Sequence, residues 1–328
     1  MPETFAQIRS YAFAPMTAPI PVSSWREALA LFRGQGGFVW IDIEDEFDVE
    51  LETVLVEKLG WHPTVLQNIK QPSSRPKLTP FEYYSHLTMH ILPPDAMRSR
   101  DLRAREIDLV LGEDYLITFH HDKMEGVDQL LDELPQAKTS PKSPDLLVHR
   151  ILALAGEALA PEVEHVNDVV AALEEEAFNQ PGEDLLERIV HARDELFLLQ
   201  RSLTPQLQVM LDVNSGASPF VTEYAHPYFK AQENRLRGLM DDINVYKEMA
   251  QAALELYRSS ITHKTNETIR VLTVISIPLM VLTFLTGLYG MNVPLPFSGF
   301  HHVFWVMLGI SLLVFSGMLW WFRRRKWF

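Results

Sequence analysis

Apolar positions fall into two regimes along the chain. In the first third they come in short runs. Phe38–Ile43 reads as a strand, bounded by Gly36-Gly37 and by the acidic turn after Asp42. Tyr83–Leu92 is a second strand, ended by Pro93-Pro94. Glu106–Leu111 and Tyr115–His120 flank Gly112-Glu113-Asp114, a hairpin signal. Between the first two strands Val49–Leu59 and Pro63–Ile69 look helical, and Ser73 to Pro80 reads as a proline-rich connection. Residues 1–144 are therefore expected to form an α/β domain.

From about Asp145 the period becomes helical. Asp145–Phe178 is apolar on one side and acidic on the other, and Gln180-Pro181-Gly182 breaks it. Leu186, Ile189, Leu196, Leu199, Leu203 and Leu207 then recur at helical spacings, with Pro205 expected to bend the later part. Asn214 to Pro219 is a loop. Beyond Pro227 no strong break occurs before Pro278, so one helix is expected from about Pro227 to Leu288, roughly 90 Å long at 1.5 Å per residue. Leu236, Met240, Ile243, Tyr246, Ala250, Ala253 and Tyr257 share one of its faces, which calls for bundling and self-association. Residues 145–268 are thus expected to form a helical bundle and stalk.

Residues 271–322 contain no Asp, Glu, Lys or Arg, although 22% of the whole chain is charged. The stretch splits into Val271–Leu288 and Val303–Phe322, each long enough for the roughly 30 Å of a bilayer's hydrocarbon core. Residues 269–328 are expected to be a two-helix transmembrane domain. Arg323, Arg324, Arg325 and Lys326 follow the second span, Lys264 and Arg270 precede the first, and Tyr289–His302 between them has neither Lys nor Arg. Both termini are therefore expected in the cytoplasm of a cell whose inner membrane holds the spans. Met1 to Ser10 has no apolar h-region, so no signal peptide is expected.

The first span is not apolar all round. Asn266, Ser276, Thr283 and Gly287 fall close to one face, with Leu272 and Met280 between them. Small and polar residues on one face of a span serve either close helix packing or a water-lined pore, in which Leu272 and Met280 would be apolar constrictions. The residues alone leave both open. A formal net charge of −14 argues against a nucleic-acid partner. The absence of cysteine excludes disulfides and thiolate metal sites.

Just past the first span stands Tyr289-Gly290-Met291-Asn292. Lys264-Thr265-Asn266-Glu267 precedes the span, Thr283-Phe284-Leu285-Thr286-Gly287 lies in it, and the chain ends Arg325-Lys326-Trp327-Phe328. Upstream are Gly60-Trp61-His62-Pro63 and Arg75-Pro76-Lys77. In these pieces, in this order, the chain resembles the CorA family of magnesium transporters. The resemblance implies a funnel-shaped homopentamer whose first spans line one pore. It makes Gly290, Met291 and Asn292 the outer mouth, with Asn292 the selectivity residue and Gly290 allowing the backbone turn. Asn266, Met280 and Thr283 match pore-facing positions, and Leu272 a narrow point. The partners it implies are the lipid bilayer, divalent cations and further copies of the chain; the metal is cargo, and no cofactor is expected.

Two departures bear on the substrate. Where magnesium members carry an acidic regulatory metal ligand this chain has Gln67-Asn68, while Glu255 keeps the charge at a second such position. The segment Val293–His302 has no acidic residue but ends in His301 and His302. The ZntB-like zinc transporters also tend to lack those acids, though they usually replace the Met retained here as Met291. Magnesium is the first reading and zinc, or a related transition metal, the alternative. No phosphate loop, serine nucleophile elbow or His-Glu-X-X-His occurs, and Glu174-Glu175-Glu176 reads as a solvated helix face. An enzyme is not expected. A membrane-anchored scaffold would explain the spans but not the Gly-Met-Asn.

Overall fold

A computed structural model describes residues 7–14, 18–31, 37–45, 49–71, 75–93, 103–134, 141–179, 182, 184–291, 302–325 and 327. Strands β1 (Gln7–Phe13), β2 (Ile20–Val22), β3 (Phe38–Glu44), β4 (Lys77–Pro80), β5 (Ser85–Ile91), β6 (Arg105–Leu111) and β7 (Tyr115–His120) form one seven-stranded sheet in the order β2-β1-β3-β7-β6-β5-β4. Helices α1 (Trp25–Leu31), α2 (Val49–Leu59), α3 (Pro63–Lys70) and α4 (Glu125–Glu133) accompany it. Then follow α5 (Pro144–Asn179), α6 (Leu185–Asn214), the 64-residue α7 (His226–Tyr289) and α8 (Val303–Arg324). Two compact units result: residues 1–174 with 187–252, and residues 175–186 with 253–328.

In the first unit the sheet is antiparallel except where β3 and β7 run side by side, Val39 opposite Tyr115 and Ile43 opposite Phe119. Alternate residues of these two strands point to opposite faces. Val39, Ile41, Ile43, Ile117 and Phe119 join Trp25, Leu51, Leu55, Trp61, Val65 and Ile69 in the core under α1 to α3. Gly60-Trp61-His62-Pro63 is the joint between α2 and α3. Gly60 takes φ +69, a conformation that only glycine adopts cheaply, and Trp61 N–H donates to Leu55 O at 3.0 Å, closing the last turn of α2. His62 caps α3 by accepting from Thr64 N–H, and Pro63 occupies its first turn.

The opposite face of β3 and β7 carries charge. Asp42 is fully buried and accepts from Arg9 Nη2 at 2.6 Å and from Thr118 Oγ1 at 2.5 Å. His120 Nε2 stands 3.4 Å from Asp42 Oδ1, while its Nδ1–H donates to the Asp122 carbonyl at 2.8 Å. Arg9 also reaches Asp128 on α4 at 2.6 Å, so one guanidinium ties two strands to a helix. Burial opposes the charge of Asp42, yet His120, Arg9 and Thr118 outweigh it and hold the carboxyl below the usual carboxylate range. Burial likewise opposes a charged His120, but Asp42, the Asp122 carbonyl and Glu44 raise its pKa above that of ordinary imidazole.

The structure adjusts several expectations. The segment Ser73 to Pro80 is not wholly a connection, since Lys77–Pro80 is strand β4; Pro80 is tolerated there because β4 is an edge strand, paired only with β5. The second strand is shorter than expected, because Phe81 N–H donates to Tyr84 O and keeps the chain in a turn before Ser85. Strands β1 and β2 and helices α1 and α4 were not anticipated. In α6 the stripe begins one residue earlier: Leu185 is buried with Ile189, Ala192, Leu196, Leu199 and Leu203, while Leu186 is exposed. The long helix α7 matches expectation to within a residue at each end, and Leu236, Ile243, Ala250 and Ala253 of its stripe are buried.

Asp42→Asn is expected to lower the stability of the full-length protein by about 3 kcal/mol, because Arg9 and His120 would keep buried charge without its partner. The two pKa shifts act in opposite directions. The part owed to His120 is complete below the ordinary imidazole pKa and is lost as pH rises through its elevated one. The part owed to Asp42 is lost only as pH falls through its depressed pKa. Thermal melts of wild type and Asp42→Asn over a pH series check both.

Candidate pore-lining face

In the second unit the C-terminal part of α7 has two unlike faces. Val274 and Pro278 are buried, and Ile277, Val281, Leu282 and Leu285 are half-buried. Leu282 and Leu285 share with Met307, Ser311 and Phe315 of α8 a groove of about 780 Å³, so α8 lies on this side. On α8 the half-buried or buried residues Met307, Ser311, Phe315, Met318 and Phe322 recur every three or four positions, a single covered stripe.

The predicted stripe lies opposite. Leu272, Ser276, Met280, Thr283 and Gly287 are all exposed, with Leu272 at 63% and Met280 at 65%. At 3.6 residues per turn their mean direction is about 180° from that of Val274, Pro278 and Leu285. Asn266 is also exposed but sits about a quarter-turn away from the stripe's centre. Ser276, Thr283 and Gly287 are therefore not among the residues that line the groove with α8, although Thr286 and Gly290 are.

The threonine hydroxyls on the span are internally satisfied. Thr283 Oγ1 donates to Leu279 O at 2.9 Å, Thr273 Oγ1 to Ile269 O at 2.7 Å and Thr286 Oγ1 to Leu282 O at 3.0 Å. A threonine that donates to the preceding turn keeps its lone pairs as acceptors on the helix surface. Thr283 thus presents an oxygen, not a proton, on the open face.

Gly290 ends the helix, its N–H donating to Thr286 O at 2.9 Å. Its backbone is not left-handed; among the described residues positive φ occurs at Asp45, Gly60 and Gly216. A Cβ at this position would lie 3.2 Å from Thr286 O, the carbonyl its N–H already bonds to. Met291 is exposed, and Asn292 and His301 lie outside the described residues. His302 is exposed at the start of α8. Asn68 is half-buried on α3 in the first unit; Glu255 is exposed on α7 in the second. Among the described residues no three His, Asp or Glu side chains are grouped to hold a metal. Sequence reasoning missed one arrangement on α8, where Arg324 lies over Trp320 and Arg325 over Trp321; the four-residue spacing of each pair was its signal.

An α/β domain feeding a long helix into two exposed apolar helices defines an integral membrane protein with two C-terminal candidate spans. The model of the CorA-like Mg2+ transporter protein family matches residues 35–324, and the chain belongs to that family. It is 24% identical over 304 residues to the cobalt/magnesium transport protein CorA of Thermotoga maritima, covering 92% of this chain and 86% of that one. It is 23% identical over 263 residues to the zinc transport protein ZntB of Pectobacterium atrosepticum, covering 78% and 77%. The complete structure of the CorA magnesium transporter from Methanocaldococcus jannaschii has the same fold, with a TM-score of 0.80 over 97% of this chain and 98% of that one at 20% identity. The chain is accordingly a transporter of divalent metal cations and not an enzyme.

The absence of native cysteine makes the two faces separable by experiment. Ser276→Cys and Thr283→Cys are expected to react with a charged, membrane-impermeant thiol reagent at least about tenfold faster than Val274→Cys and Leu285→Cys. Charged reagents need water, and exclusion from hydrocarbon costs well over 1.4 kcal/mol. Equal rates on both faces would contradict the assignment.

Proposed function

We propose that five copies of the chain ring an axis with the open face of α7 inward and conduct hydrated Mg2+ across the inner membrane, both termini cytoplasmic. The observation that carries this reading is that Leu272, Ser276, Met280, Thr283 and Gly287 lie opposite the face turned to α8. A span that met only lipid there would gain nothing from small and polar residues. In this reading residues 1–144 form the cytoplasmic domain, 145–268 the bundle and stalk, and 269–328 the pore.

Magnesium gives up its waters reluctantly, and those waters present protons outward. A ring of Thr283 oxygens and, at the outer mouth formed by Gly290, Met291 and Asn292, a ring of Asn292 carbonyl oxygens accept those protons without stripping the shell. Neutral acceptors bind weakly enough to release the ion, as conduction requires. Leu272 and Met280 are the apolar narrowings between the polar rings, and Asn266 lies at the inner end.

Zinc is the second reading, favoured by the likeness to a zinc transport protein and by imidazole at His302, beside the pore mouth. Flux of Mg2+ and Zn2+ into proteoliposomes separates the two. Asn292→Ala is expected to reduce flux of the carried ion at least about tenfold, a barrier change of 1.4 kcal/mol or more, while native mass measurement still finds five copies. Unchanged flux removes the Gly-Met-Asn ring from the mechanism, and a monomeric or dimeric mass removes the ring of subunits.

Cytoplasmic magnesium is expected to close this pore weakly. Asn68 is neutral where the family resemblance places an acidic ligand, so only one of the two resembling positions, Glu255, keeps a carboxylate. Asn68→Asp is expected to sharpen closure as magnesium is raised through the millimolar range, read as flux and as protease resistance of the N-terminal domain. Sharp closure in wild type, unaltered by Asn68→Asp, would refute this.

A further inference from the structure

The C-terminal end of α8 carries chemistry that conduction does not use. Trp320 and Trp321 are exposed, at 62% and 49%, where an ordinary helix end would be polar. The guanidinium of Arg324 lies 5.4 Å from the centre of the Trp320 ring, and that of Arg325 lies 5.7 Å from Trp321. Each is an i,i+4 pair, and because the two pairs are one residue apart they lie on neighbouring faces about 100° from each other at the helix end. Arg323 precedes them. Among the described residues none of these three arginines meets a carboxylate.

The end of the chain holds this arrangement in place. Arg325 N–H donates to Trp321 O at 3.1 Å and Trp327 N–H to Phe322 O at 3.1 Å. The Trp327 ring lies 5.4 Å from that of Phe322, which is buried. A guanidinium stacked on an indole keeps its N–H donors in the plane, directed away from the ring and free for a planar or tetrahedral oxyanion. At the other end of α8, Phe304 and Trp305 are likewise exposed, and the helix from Phe304 to Trp321 spans about 26 Å, a few ångströms less than the roughly 30 Å of a hydrocarbon layer. Aromatic residues at both ends of a span favour the membrane interfaces, and the arginines lie just beyond one of them.

Charge makes the surface selective. The chain carries 29 Lys and Arg against 43 Asp and Glu, so the molecule as a whole is repelled by an anionic membrane. Residues 264–328 reverse that balance, with six basic residues and only Glu267 acidic. Attraction to negative charge is thus confined to the membrane edge of this one unit.

We propose that Trp320, Trp321, Arg324 and Arg325 form a binding surface for the phosphate headgroup of an anionic phospholipid. The indoles lie at the boundary of the acyl chains while the guanidinium over each of them offers its donors to the phosphate. This depends on α8 crossing the bilayer, and neither on which cation is carried nor on the number of copies.

The test counts lipids bound to the full-length protein in detergent by native mass spectrometry. Phosphatidylglycerol and phosphatidylcholine with the same acyl chains are titrated over a salt series. Wild type is expected to bind phosphatidylglycerol at least tenfold more tightly than phosphatidylcholine, with the preference shrinking as salt rises. The double variant R324Q/R325Q is expected to weaken phosphatidylglycerol binding roughly 30-fold and to erase the preference, since each arginine near an anionic surface contributes about fivefold. W320L/W321L keeps an apolar anchor but loses the stacking faces, and is expected to fall between the two. Far-UV circular dichroism checks that the variants keep their helices. Equal binding of the two lipids by wild type, or a wild-type preference in R324Q/R325Q, would overturn the proposal. So would thermal stabilisation by inorganic phosphate equal to that by phosphatidylglycerol.

Discussion

Hydrocarbon tolerates no unpartnered polar group, and the membrane part of this protein is arranged around that constraint. Both spans are helices, which satisfy their own backbones. The hydroxyls of Thr273, Thr283 and Thr286 donate to carbonyls one turn back, so none of the three brings an unmet proton into the layer. What then distinguishes the faces of α7 is which acceptors and small side chains remain at the surface. Thr286 and Gly290 line the groove toward α8, whereas Ser276, Thr283 and Gly287 lie opposite the buried Val274 and Pro278, and the case for a lumen rests on these three. Pro278 fits the same logic: the carbonyl one turn back, which its missing N–H leaves without a helical partner, belongs to Val274, on the covered face.

The N-terminal domain meets the same constraint by a different route. Its central strands bury an ion network where hydrophobic side chains would have packed. Asp42 is acceptable there only because Arg9, Thr118 and His120 converge on it from two neighbouring strands. The network also reaches α4 through Asp128, so the pairing of β1, β3 and β7 and the seating of α4 are one arrangement.

Much of this was legible in the residue pattern, and for identifiable reasons. The spans, the long α7 and its open stripe follow from local rules: charge exclusion, absence of breakers and three-to-four spacing. Helix α2 was bounded correctly because Gly60 and His62-Pro63 are unambiguous stop and start signals. Strand β4 was missed because prolines at 76 and 80 argue against a central strand, and only the sheet order reveals that it is an edge. Strand β1 holds Arg9 and Ser10 amid apolar residues, and its charge makes sense only once Asp42, thirty-three residues on, is seen beside it. Asp42 was read within the Phe38–Ile43 strand, but nothing in its neighbourhood announces a partner. The Gly-Met-Asn motif was legible as a sequence, but Asn292 lies outside the described residues.

The one parallel pairing in the sheet orders events in time. The β5-β6-β7 meander joins residues close in sequence, whereas the open edge of the β1-β3 pair waits for β7, and Asp42 and Thr118 are 76 residues apart. At translation rates of about 5–20 residues per second the wait is about 4–15 s, long compared with hairpin formation. Throughout it Asp42 sits on an uncovered strand without Thr118 or His120. A carboxylate there keeps that bare edge hydrated and discourages strands of other nascent chains from adding to it. The residue that looks least suited to the middle of a finished sheet is thus well suited to the unfinished one.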